Sequence, residues 1–137
     1  MILYKQKQYS EDSREAFINY LNNLEAWKTR CKNLHWAAEH KNIHEYLDEY
    51  YNILVDYQDK IAETYMGITE KLHPLDINPT ACDKITAIDL IEDVINITAV
   101  EFYQSIPDDV VFMGIRSEVE SFMQETEKYK YLFGLCK

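Results

Sequence analysis

The sequence predicts an all-α, single-domain four-helix bundle over residues 1–137. Turn-forming residues are scarce, with only 3 Gly and 3 Pro in the chain, while 47% of residues are apolar. That leaves long segments without breakers and enough apolar surface for one core. Within those segments apolar residues recur at three- and four-residue steps, the stripe of an amphipathic helix. Gly67, Pro74, Pro79 and Pro107 fall between them.

The first helix is expected from about residue 11 to about residue 35, with Ser10 as N-cap and Glu11 and Asp12 in the first turn. Its stripe is Phe17, Tyr20, Leu21, Leu24, Trp27, Cys31 and Leu34. The second is expected from about residue 41 to about residue 66, ending at Gly67, with Ile43, Tyr46, Leu47, Tyr50, Ile53, Leu54, Tyr57 and Ile61 facing the core. The third is expected from about 81 to 105, opened by a Thr80–Asp83 capping pattern and stopped by Pro107. Its stripe is Ile88, Ile91, Ile95, Ala99 and Phe102. The fourth runs almost to the C-terminus through Val119, Phe122, Thr126, Tyr129 and Phe133, and Asp108-Asp109 is expected to cap it.

The joints near 36–40 and 106–108 are short and imply antiparallel hairpins. The middle linker of about 13 residues, at roughly 3.3 Å per residue, can reach about 40 Å, the length of a helix of about 26 residues. It is long enough for the single crossover between helices 2 and 3 that marks ferritin-like bundles, though a short cap on an up-down bundle is also possible.

The formal charge of −10 makes nucleic acid and anionic membranes poor partners and cations good ones. Three cysteines without a CxxC pair fit neither a disulfide framework nor a zinc knuckle and suit a reducing, cytoplasmic setting. No segment reads as a signal peptide or a membrane span.

Chemistry concentrates on the second helix. His44 and Asp48, and Asp59 and Glu63, are i,i+4 pairs. At about 100° per residue all four fall within an arc of about 100°, roughly opposite the apolar stripe. About 22 Å of helix axis separates Asp48 from Glu63, and about 16 Å separates Asp48 from Asp59, too far for one metal whose ligands lie about 2 Å away. Two copies packed about a twofold axis would bring His44 and Asp48 of one chain to Asp59 and Glu63 of the partner subunit, twice per dimer. Tyr51, Val55 and Ala62 share that arc and could pack the interface. Imidazole with carboxylate suits iron, whereas carboxylates alone would suit magnesium or calcium. His35, at the end of the first helix, is a further candidate ligand. Acidic i,i+4 pairs are also common on helix faces that only meet water.

The segment His35-Trp36, then His44-x-x-x-Asp48 and Asp59-x-x-x-Glu63, resembles the signature of the Dps mini-ferritins, DNA-protecting proteins of the ferritin-like superfamily. The specific likeness covers about residues 24–66. It implies an intersubunit ferroxidase site. There His35, His44 and Asp48 of one subunit and Asp59 and Glu63 of the partner subunit would bind Fe(II), oxidise it with hydrogen peroxide or dioxygen, and pass ferric iron to storage. It also implies a twofold dimer within a dodecamer of 23 symmetry, Trp36 beside the site, and acids near residues 108–109 lining a pore. The stretch between Trp36 and His44 is about three residues shorter than usual in that family and lacks its Gly, so His40 is an alternative to His35. Only Lys5 and Lys7 precede the first helix, so DNA binding is not expected. Glu70-x-x-His73 is a single copy of a motif that larger di-iron proteins use in pairs, and reads as coincidence. Most of the 11 tyrosines are expected in the core.

Overall fold

The computed structural model describes residues 11–69 and 74–136. Every regular element among them is helical. Helix α1 spans Glu11–Ala37 and α2 spans Lys41–Thr69. Helix α3 spans Ala87–Asn96 and runs on through a π-helical turn, Ile97–Phe102, and a 3-10 turn, Tyr103–Ser105. A second 3-10 turn, Val110–Phe112, leads into α4, Met113–Leu135.

Most of the expected stripes are buried as read: Phe17, Tyr20, Leu21, Leu24, Trp27 and Cys31 on α1; Leu47, Tyr50, Leu54, Tyr57 and Ile61 on α2; Val119, Phe122, Thr126, Tyr129 and Phe133 on α4. They form one core with α3. Two boundaries differ from expectation. Helix α2 passes through Gly67 to Thr69. A helical Gly costs only about 1 kcal/mol relative to Ala, and burial of Tyr65 just before it outweighs that. Helix α3 starts six residues later than the Thr80–Asp83 pattern implies. Thr86 is the N-cap, its hydroxyl accepting from the Asp89 amide at 3.1 Å. Ala87 then begins the face that the core can bury. The proposed Ser10 cap lies outside the described residues.

The buried face of α3 also differs from its isoleucine stripe. Ala87, Leu90, Ile91, Val94, Thr98 and Phe102 are buried, while Ile88 and Ile95 sit at the flank. From Val94 the buried residues come four apart, to Thr98, Phe102 and Ile106. In a regular α-helix each four-residue step overshoots a full turn by about 40°, so this series would wind off the core. The wider π turn, marked by the Tyr103 amide bonding to the Thr98 carbonyl, keeps it facing inward. At the following corner Asp109 caps the 3-10 turn by accepting from the Val111 amide at 3.0 Å. Arg116 donates to the carbonyls of Pro107 and Asp109.

Neighbouring helices run antiparallel. Phe17 stacks on Tyr65 while Cys31 reaches the Leu47 carbonyl, which sets α1 against α2. Tyr57 stacks on Phe122 and Tyr50 bonds Thr126, which sets α2 against α4. Tyr20 meets Phe102 and Trp27 meets Asp93, which sets α1 against α3. Helices α3 and α4 pack together as well, with Tyr103 bonded to Glu120. Since α2 ends beside the start of α1, and α3 begins at the opposite end, the linker must run the length of the bundle. Its described part does so along α1. Leu75 lies beside Phe17, the Asn78 amide bonds Asn22 Oδ1 at 2.7 Å, and the Lys84 carbonyl accepts from Arg30. No described helix is long and apolar enough to cross a membrane.

Candidate metal centre

The last turn of α1 leaves carbonyls without α-helical partners, of which that of His35 accepts from the Ala38 amide at 3.4 Å, and the three-residue joint 38–40 turns the chain straight back into α2. This puts His35, in the last turn of α1, against His44, in the second turn of α2. His44 Nδ1 lies 2.7 Å from the His35 carbonyl, and His35 Nδ1 lies 2.7 Å from the His44 carbonyl. A carbonyl only accepts, so both Nδ1 atoms carry the proton and donate it. The rings stack with centroids 3.9 Å apart and planes 20° apart. Each Nε2 is free of hydrogen bonds among the described residues, and in the neutral ring it presents its lone pair. A backbone carbonyl holding the far nitrogen is one of the usual ways proteins orient a metal-binding imidazole.

His40 is placed differently. It is exposed at the start of α2, where its Nδ1 accepts from the Asn42 amide at 3.2 Å and its carbonyl from the His44 amide at 3.0 Å. It is therefore His35, not His40, that the fold brings to His44. Trp36 follows and is 70% exposed.

Asp48 is half-buried one turn beyond His44. Its Oδ1 lies 3.4 Å from Lys32 Nζ, and that ammonium also sits 4.2 Å from the centre of the Tyr51 ring. Lys32 escaped the sequence reading. The signal was its position three residues before His35, on the same face of α1.

Asp59 and Glu63 are exposed further along α2, and neither side chain makes a hydrogen bond or ion pair among the described residues. The fold therefore brings His35 against His44, with Asp48 one turn further along α2, and leaves Asp59 and Glu63 apart from them. Among the described residues no three His, Cys, Asp or Glu side chains of a single chain converge on one point. Between the two ends, other polar groups pair across α1 and α2. Lys28 donates to Gln58 Oε1 at 2.7 Å and pairs with Glu25 at 3.1 Å, and Gln58 Nε2 donates to Glu25 at 3.1 Å. Tyr51 and Val55 are half-buried between the pairs, and Ala62 is half-buried within the second pair. Glu70 and His73 lie outside the described residues.

A separate groove of about 380 Å³ between α2 and α4 is lined by Asp56, Tyr57, Lys60, Glu118, Phe122 and Glu125 among others, and holds none of the five residues. No protein-family model matches the chain, and no curated protein or solved structure matches it either.

Proposed function

We propose that this chain is a ferritin-like mini-ferritin of the Dps kind, which oxidises Fe(II) at a site shared between two subunits and stores the ferric product. The observation that carries this reading is the reciprocal histidine pair. Two imidazoles are fixed through Nδ1, each keeps Nε2 open, and Asp48 stands one helical turn away. Iron is here the substrate. The nitrogen and carboxylate donors fit it, and oxygen donors grow in importance as ferrous ion becomes the harder ferric ion. The bundle's antiparallel neighbours and lengthwise linker also agree with a ferritin-like chain path.

In this reading a partner copy packs on the outer face of α2, about a twofold axis, within a dodecamer. Asp59 and Glu63 of the partner subunit complete the ligand set of His35, His44 and Asp48. The histidines hold position without rearrangement, because their rings are already pinned to backbone. The carboxylates balance the growing positive charge. Two ferrous ions give two electrons to one peroxide, which takes up two protons and leaves as two waters.

A second reading is a helical scaffold or interaction protein with no turnover, and the Lys32–Asp48 pair favours it, since a lysine already neutralises the one nearby carboxylate. Complementation separates the two. One variant lacks His44 and Asp48, and the other lacks Asp59 and Glu63; each should be inactive in aerobic ferrous oxidation. After subunit exchange, a mixed dimer gathers every defect in one site and leaves the other wild-type, so activity should return towards half per mixed dimer. No recovery, with mixed dimers verified by native mass, rejects the shared site. Activity that never fell in either variant places the oxidation away from these residues, and a wild type without ferrous oxidation supports the scaffold.

A further inference from the structure

The Lys32 ammonium has two anchors of different kinds. One is the Asp48 carboxylate, 3.4 Å from Nζ, and the other is the face of Tyr51, 4.2 Å from Nζ to the ring centre. Both partners belong to α2 while Lys32 belongs to α1, so the ammonium bridges the hairpin at the place where His35 and His44 also meet. Building on the function proposed above, we infer that Lys32 acts as a counter-ion at this site: it holds Asp48 until a divalent cation displaces it onto Tyr51, and so sets how tightly that cation binds.

Three physical points support the inference. A carboxylate cannot serve a metal and an ammonium equally well through one oxygen, so cation binding competes with the Lys32 contact. The contact is weak enough to yield, because Asp48 is 50% exposed and Lys32 29% exposed, and pairs this open contribute at most about 1 kcal/mol. The displaced ammonium does not have to travel, since the aromatic face beside it attracts cations and is untouched by the exchange. The same ammonium has a second use in a shared site. An empty twofold interface would set Asp48 near Asp59 and Glu63 of the partner subunit, three like charges with no cation, and Lys32 offsets one of them.

The test uses the full chain with Co(II) as a redox-inert probe of affinity. Lys32→Met keeps the unbranched stem, one atom shorter, and removes its charge. It should tighten Co(II) binding by roughly fivefold, the equilibrium equivalent of about 1 kcal/mol. It should also weaken self-association in chelator while leaving it intact in Co(II). Lys32→Arg keeps the charge and should bind within about twofold of wild type, a rescue that a mere packing role would not give. Unchanged or weaker Co(II) binding by Lys32→Met, with wild type binding normally, overturns the counter-ion role and leaves the shared site standing. Absence of Co(II) binding in wild type and both variants removes the site together with its counter-ion.

Discussion

Two regions of this bundle satisfy their polar side chains in opposite ways. In the core, Tyr20 bonds both Tyr57 at 3.0 Å and Thr98 at 2.8 Å, and Tyr50 bonds Thr126 at 2.9 Å. Each hydroxyl answers another, as groups cut off from water must. On the outer edge of the α1–α2 hairpin, His35 and His44 use one ring nitrogen each and keep the other open, and Asp48 commits one oxygen to a lysine that can leave. Both regions draw on the same two helices. Closed hydrogen-bond capacity marks the part that holds the fold, and open capacity held in fixed geometry marks the part that can take a ligand.

The contrast breaks most visibly if the open region turns out to hold the fold. His44→Ala should slow ferrous oxidation by at least the roughly tenfold to hundredfold that even outer-sphere partners of metals cost. Its thermal midpoint should stay within a few degrees of wild type. A large fall in midpoint with unchanged oxidation per folded subunit would reverse the assignment of the two regions.

The closed region should show the opposite pattern. Thr98→Val keeps the shape of the side chain and strips Tyr20 of a buried partner, which should lower stability by about 1–3 kcal/mol in denaturant titrations. Oxidation by the folded fraction should not change. A variant as stable as wild type would mean that the Tyr20 hydroxyl is satisfied by Tyr57 alone.

The smallest effect is confined to alkaline solution. Burial pushes the Cys31 thiol up from 9.0 to about 12, and it raises the phenols of Tyr20, Tyr50 and Tyr57 above 10.0. In each case the folded chain keeps a proton that the unfolded chain gives up. The stability linked to Cys31 is thus complete below pH 9 and lost as pH climbs towards about 12, with the tyrosines adding the same trend above pH 10. Phenolate absorbance should therefore include a cooperative step that coincides with loss of helical circular dichroism. Cys31→Ala should make the decline begin later. Smooth titration of every tyrosine with the helices retained would show that the core hydroxyls are open to solvent.

How much of this was legible in the sequence depended on whether the signal was local. The buried stripes of α1, α2 and α4 could be read because each repeats over several turns. The start of α3 could not, because Thr80–Asp83 and Thr86–Asp89 offer the same capping pattern and only packing chooses between them. The π turn was hidden for a similar reason: Ile88 and Ile95 are the more apolar residues, yet the core takes Val94 and Thr98, whose hydroxyl has Tyr20 to bond. At the candidate centre the i,i+4 pairs on α2 were visible as spacing. The meeting of His35 with His44 depended on the angle of a three-residue joint, which composition does not encode. Lys32 was overlooked because a helical lysine usually faces water, and nothing in one dimension reveals that Asp48 and Tyr51 stand across from it.

The linker laid along α1 fixes an order of events as well as a path. Each hairpin, α1 with α2 and α3 with α4, joins segments close in sequence across a short joint, so each can form early at low entropic cost. Their docking waits for the linker to swing one hairpin end for end against the other. While the linker is intact that encounter is intramolecular, at the effective concentration its length allows. Cut it between Pro74 and Thr86, and the same two hairpins must find each other by diffusion. Folding then becomes second order, and the protein's stability acquires a dependence on its own concentration that the continuous chain does not have.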